Sequence, residues 1–239
     1  MDGDGDVEPQ TATLLVGLLL AAGVLAVVLW GMVDDDDDTA TRADTRSAVR
    51  ETAGRVDADQ GLAPVATDTR AERCSEASLA LLPPLEAARP ALRQWDVHVG
   101  AMNDLVRGEI SLQQATRFWN ETRLGAQRNI ERFDTAWADV ERLGVDCPTP
   151  GLLGSASADV RSCARLVAAE LGVLRAARTS IKTWDTHVHH MDMLRMGTMS
   201  PEEATDMWLT MWQRGVRDLT TYRDAARHPA LTAVCPSSA

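Results

Sequence analysis

His98 and Met102 stand four residues apart, and so do His187 and Met191. On a helix that spacing sets an imidazole and a thioether on one face, within reach of a single ion. Imidazole with thioether suits Cu(I) better than magnesium or calcium. The second pair lies in WDTHVHHMDMLRMG, residues 184–197, and the first in WDVHVGAMNDLVRG, residues 95–108. The two stretches share Trp, Asp, His, Val, Met, Leu and Gly at a constant offset of 89, so whatever they do is done twice. The second copy adds His189, His190, Met193, Met196 and Met199, which have no counterparts in the first.

A plainer account uses the same residues for packing. Met102 and Met191 fall on the same helical stripe as Trp95 and Trp184, and a methionine on such a stripe is usually core that fills an irregular gap. The histidines sit at the stripe's edge, one turn from the tryptophan, where a polar ring reaches a hydrogen-bond partner on a neighbouring helix while burying its body. Asp96 and Asp185 read as solvated or helix-pairing charges. Packing is the leading reading of this constellation, and a copper site built from His98, Met102, His187 and Met191 is the alternative. A haem or another ligand held by His and Met ranks behind both. Patterns for standard catalysis are missing, with no GxSxG, HExxH, CxxCH or glycine-rich phosphate loop. The paired Glu-x-x-His ligands of a di-iron bundle are also missing.

The elements that carry these residues are helices. Leu85, Leu92, Trp95, Val99, Met102 and Val106 advance by threes, fours and sevens, and Leu174, Ile181, Trp184, Val188 and Met191 repeat the pattern. Each helix is expected to stop at a glycine, Gly108 or Gly197. SLQQ at 111 and SPEE at 200 then read as capping boxes, the second strengthened by Pro201. The returning helices carry Ala115, Trp119, Thr122, Ala126, Ile130 and Phe133 in one copy and Ala204, Trp208, Met211, Gly215, Leu219 and Tyr222 in the other. Long helices joined by so short a turn run antiparallel, so each copy reads as an αα-hairpin. Pro83, Pro84 and Pro90 are expected to break or kink the first helix.

The four cysteines are placed by the same register. Cys74 precedes Gly108 by 34 residues and Cys147 follows Ser111 by 36, while Cys163 precedes Gly197 by 34 and Cys235 follows Ser200 by 35. At helical rise every one of these distances from the turn is about 51 to 54 Å. The cysteines of each hairpin therefore meet at its open end. Of the three possible pairings this geometry favours Cys74 with Cys147 and Cys163 with Cys235; four buried thiols in a cytosolic bundle is the competing account.

The chain has 239 residues, of which 45% are hydrophobic, enough for one good core. Its net charge of −11 is concentrated at the start: Asp2, Asp4, Asp6, Glu8 and Asp34 to Asp38 are nine acids without a base, and removing them leaves −2. Without a basic stripe or run, nucleic acid is excluded as an expected partner. Residues 11–33 hold no charge and make a helix of about 34 Å, long enough to span a bilayer. The acidic lead and the length of the run favour an anchor over a cleaved signal peptide. Arg42, Arg46 and Arg50 follow the span and would place the body in the cytoplasm. Disulfides, however, persist outside the reducing cytosol, and on that ground the body is assigned outside.

The Trp, Asp and His pattern, with its Gly, Ala-Thr and Trp continuation, resembles a family of uncharacterised actinobacterial membrane-anchored or secreted helical-repeat proteins, over roughly residues 74–236. The resemblance implies an extracytoplasmic location and no activity. The expected fold is all-α, an up-and-down four-helix bundle of two duplicated αα-hairpins preceded by a single N-terminal transmembrane helix. The segments are an acidic tail (1–10), the span (11–33), a polar stalk (34–67) and two repeats (68–148 and 149–239) forming one domain. The expected function is structural, sensing or partner-binding at the cell membrane, without catalysis or cofactor. Its expected partner is the membrane, through the N-terminal helix, with room for a protein partner of unknown identity; the alternative is extracytoplasmic copper binding.

Overall fold

The structure, a computed structural model, describes residues 69–154 and 156–235. The expected transmembrane helix and stalk lie outside the described residues. Among the described residues every regular element is helical, and no helix is long and apolar enough to cross a membrane.

Two helices of 38 residues dominate, α1 (Thr69–Val106) and, in the second repeat, α4 (Ala158–Arg195). Between them come α2 (Leu112–Arg123) and α3 (Ala126–Leu143), and after them α5 (Pro201–Ala225). Short 3-10 turns at Pro150–Leu152 and Pro229–Thr232 lead the chain back to the cysteine end. The buried positions of α1 include Cys74, Leu81, Ala88, Trp95 and Met102, spaced by sevens. Those of α4 include Cys163, Glu170, Ala177, Trp184 and Met191 at the same spacing. A seven-residue repeat keeps one seam facing one partner along a whole helix.

Here that partner is the other long helix. Trp95 stacks on Trp184 with ring centroids 4.9 Å apart, His98 meets His187, and Cys74 and Cys163 share one cluster with Leu153, Val160 and Ala164. Equivalent residues come together near the cysteine end and again one turn apart at the tryptophans and histidines, so α1 and α4 run parallel and in register. The return helices pack outside this pair, α2 and α3 mainly against α1 and α5 mainly against α4. The two repeats are thus related by an approximate twofold axis between α1 and α4.

Local signals set the ends. Gly108 and Gly197 take φ of 73° and 71°, the left-handed conformation that lets the following amide turn back onto the helix. Glu109 N donates to Asp104 O and Thr198 N to Met193 O, the same closing bond in both copies. Ser111 with Gln114 and Ser200 with Glu203 form complete capping boxes.

Two expectations need correction. The prolines do not break α1, which passes through Pro83, Pro84 and Pro90. Their rings free the carbonyls of Leu79, Ala80 and Glu86, and all three of those residues lie on the exposed side of the helix, where water takes the missing donor's place. The return helix of the first repeat is not continuous either. It breaks between α2 and α3 at Leu124 and Gly125, where Gly125 adopts φ of 70°. The equivalent residue of the second repeat is Arg214, which disfavours that conformation, and α5 runs through. The opened turn is used: Gln94 Nε2 donates to Leu124 O at 2.9 Å.

Both hairpins are closed at their open ends by the disulfides Cys74–Cys147 and Cys163–Cys235, with Cα atoms 4.5 and 4.6 Å apart.

Candidate functional site

One helical turn from the tryptophan stack, on the side of the two inter-helix turns, His98 and His187 come together across the repeat axis. Their Nε2 atoms are 3.0 Å apart and their rings meet edge to face with centroids separated by 4.8 Å. Both side chains are about 95% buried. Burial, reinforced by the neighbouring imidazole, holds the His98 pKa well below its ordinary value. Burial, with the nearby His190, lowers that of His187 to about 3. Both rings are therefore neutral at physiological pH, since a charge in so dry a place goes unsolvated.

The hydrogen bonds assign the tautomers. Thr122 Oγ1 donates to the backbone oxygen of Phe118 at 2.7 Å, the usual back-bond of a helical threonine. Its lone pair is left to accept from His98 Nδ1 at 2.8 Å. With its proton on Nδ1, His98 presents a bare Nε2, and His187 donates to it from its own Nε2. His187 Nδ1 then carries a lone pair, and that buried atom has no hydrogen-bond partner. The repeat explains the asymmetry. The position equivalent to Thr122 is Met211, which has no hydroxyl to offer.

These two imidazoles form the polar spot of a cavity of about 60 Å³. Trp95, Met102, Met191, Trp119 and Trp208 line it, with Asn120, Arg123 and Arg195 among the polar residues on its wall. Two of these aromatic walls are close to the pair, with His98 6.0 Å from Trp119 and His187 5.7 Å from Trp208, centroid to centroid, and Trp184 lies 5.0 Å from His98 behind them. Trp119 Nε1 donates to His98 O at 3.2 Å, tying α2 to α1 beside the pair, and Trp212 Nε1 donates to Asn103 Oδ1 at 2.8 Å. Arg123 and Arg195 both approach one carboxylate oxygen of Asp192, at 3.8 and 3.9 Å.

All four residues singled out from the sequence, His98, Met102, His187 and Met191, thus line one chamber. The unduplicated residues do not join them. His189 and Met196 are exposed, His190 is buried outside the chamber, and Met193 and Met199 pack with Ala204 behind Leu194 of its wall. Asp96 pairs with Arg223 of α5 and so serves as a helix-pairing charge. Asp185 lies by Asp134 on the opposite side, and burial together with Asp185 raises the Asp134 pKa. Sequence reasoning missed Thr122 as the residue orienting His98, although a lone hydroxyl on an otherwise apolar stripe was the available signal.

A cavity of this size takes an ion or two or three waters, since an apolar cavity that admits benzene is about 150 Å³. A haem has no room in it. Among the described residues no group of three or more His, Cys, Asp or Glu is placed to hold a metal ion. A site in this chamber must therefore draw on the thioethers as well as the two imidazoles. No protein-family model, curated protein or solved structure matches the chain.

Proposed function

We propose that this chain is a single-pass membrane protein whose extracytoplasmic part, a four-helix bundle of two duplicated αα-hairpins, acts as a sensing or partner-binding module with a small internal ligand chamber and no catalytic role. The observation that carries the binding reading is the chamber itself. Two neutral imidazoles from equivalent positions face each other inside an apolar wall, and one of their ring nitrogens is left without a partner. The two disulfides support the outside location, because such bridges persist in oxidising compartments.

Xenon tests the chamber, because it enters dry apolar cavities without needing polar contacts. In the full chain held in detergent micelles, xenon should shift the methyl resonances of Met102 and Met191 and leave exposed Met196 unmoved. Unmoved chamber methyls would mean a closed core, and the binding reading would fail. Protease added outside intact cells should remove the bundle, and full protection would place it inside.

A further inference from the structure

We propose that the chamber is a site for a soft monovalent metal ion, Cu(I), held by Nε2 of His98 and of His187 and by the thioethers of Met102 and Met191. The inference rests on the chamber being the bundle's ligand site and adds the chemistry of what it takes. Four observations lead there.

The first is the donor set. Two imidazoles and two thioethers are neutral and soft, a combination that favours Cu(I) over the oxygen-loving cations and, without thiolate or carboxylate, over Zn(II). The second is charge. The ligands are more than nine-tenths buried, and no carboxylate lines the chamber. The Asp192 carboxylate is already shared by Arg123 and Arg195. A divalent ion would bring in two uncompensated charges, and the desolvation cost of a buried ion rises steeply with its charge. A monovalent ion brings half that charge into a wall that already holds the Arg123 and Arg195 guanidiniums, both directed to Asp192.

The third observation is distance. Two nitrogens at about 2.0–2.1 Å from a tetrahedral ion lie about 3.3 Å from each other. The Nε2 atoms already stand at 3.0 Å, so a few tenths of an ångström and a rotation of the two rings separate the hydrogen-bonded pair from a ligating one. The fourth is the tautomer. Only the proton on His187 Nε2 occupies the line between the rings. The same ring's Nδ1 is bare and without a partner. When the ion enters, that proton moves from Nε2 to Nδ1 by way of solvent, the ring stays neutral, and no net proton is released. His98 needs no change, because Thr122 already holds its proton on Nδ1, the outer-shell arrangement usual for a metal-bound histidine.

The test uses the full chain in detergent micelles, anaerobically, with Cu(I) supplied from a chelator of known affinity. The expected result is one tightly held Cu(I) per chain whose X-ray absorption shows two nitrogen and two sulfur neighbours, undisturbed by excess Zn(II). Met102→Leu with Met191→Leu conserves volume and should remove the sulfur signal and at least about tenfold of the affinity. Thr122→Val should weaken binding by about 10–100-fold while leaving the xenon shifts in place, which a loss of folding could not do. Met193→Leu, Met196→Leu and Met199→Leu together, at the tip of the second repeat, should leave the affinity unchanged. Absence of uptake would overturn the proposal, and so would uptake lost only in the tip variant. If xenon enters and Cu(I) does not bind, the metal inference falls and the chamber reading stands; if neither enters, both fall.

Discussion

Gly215 of α5 lies against the tryptophan stack, and adding one carbon there tests how tightly the two repeats are locked. A Cβ at this position would lie 2.8 Å from Trp95 Cε2 and 3.0 Å from Val99 Cγ2, and closer still to Trp95 Cζ2. The indole cannot retreat easily, since it is 1% exposed and stacked on Trp184. Gly215→Ala gains about 1 kcal/mol of helix propensity. It loses the cost of overpacking, typically 1–3 kcal/mol and near the top of that range where the neighbour is a pinned ring. The net expectation is a destabilisation of about 1–2 kcal/mol, or a fall in Tm of roughly 2–8 °C for a domain of this size. Gly100 in α1 and Gly172 in α4 provide the controls. A Cβ at either meets nothing within 4 Å, so Gly100→Ala and Gly172→Ala should each stabilise by about 0.5–1 kcal/mol. Thermal unfolding followed by circular dichroism, with the disulfides intact, reads all three. If Gly215→Ala raises Tm as the controls do, Trp95 is not wedged between α4 and α5 and the packing argued above is wrong.

Replacing Cys163 and Cys235 by alanine should cost about 4 kcal/mol, the loop-entropy value for a separation of 72 residues, and peptide mapping without reductant should show only the Cys74–Cys147 and Cys163–Cys235 links. Trp184→Ala, which empties a fully buried site, should cost about 3–5 kcal/mol in chemical denaturation; a cost under 1 kcal/mol would mean that the stack does not hold the repeats together. The lowered pKa of His187 makes stability depend on pH. Below about 6.5 the unfolded chain takes up a proton that the folded ring refuses until about pH 3, so the contribution is complete above the ordinary histidine range and is lost as the pH falls toward 3. His187→Gln should flatten the stability profile below pH 6.5, by about 0.7 kcal/mol per pH unit at 6.5 rising to about 1.4 near pH 5, and an unchanged slope would show that the ring is already charged in the folded state.

The helices were legible because their signals are local. The stripe of Leu92, Trp95, Val99 and Met102 needs only the helical period to be read as one face, although Leu85 before it is half-buried and Val106 after it is exposed, and Gly108, Gly197 and the two capping boxes act through atoms within one turn of themselves. Equal lengths of chain on either side of each turn were enough to bring each cysteine pair to a common end. Period alone, however, says which face is buried and not what covers it. Tertiary packing decided that α1 lies in register beside α4, joining His98 to a residue 89 positions away. It also decided that Thr122 reaches His98 where Met211 cannot serve His187. Gly125 stands beside Ala126 of the stripe, and nothing local separates a glycine tolerated within a helix from a left-handed break. The prolines of α1 could be read as breakers until the exposure of Leu79, Ala80 and Glu86 was known. In each case the deciding energy comes from contacts or solvent exposure on another part of the fold, and a sequence pattern within one helix carries no record of them.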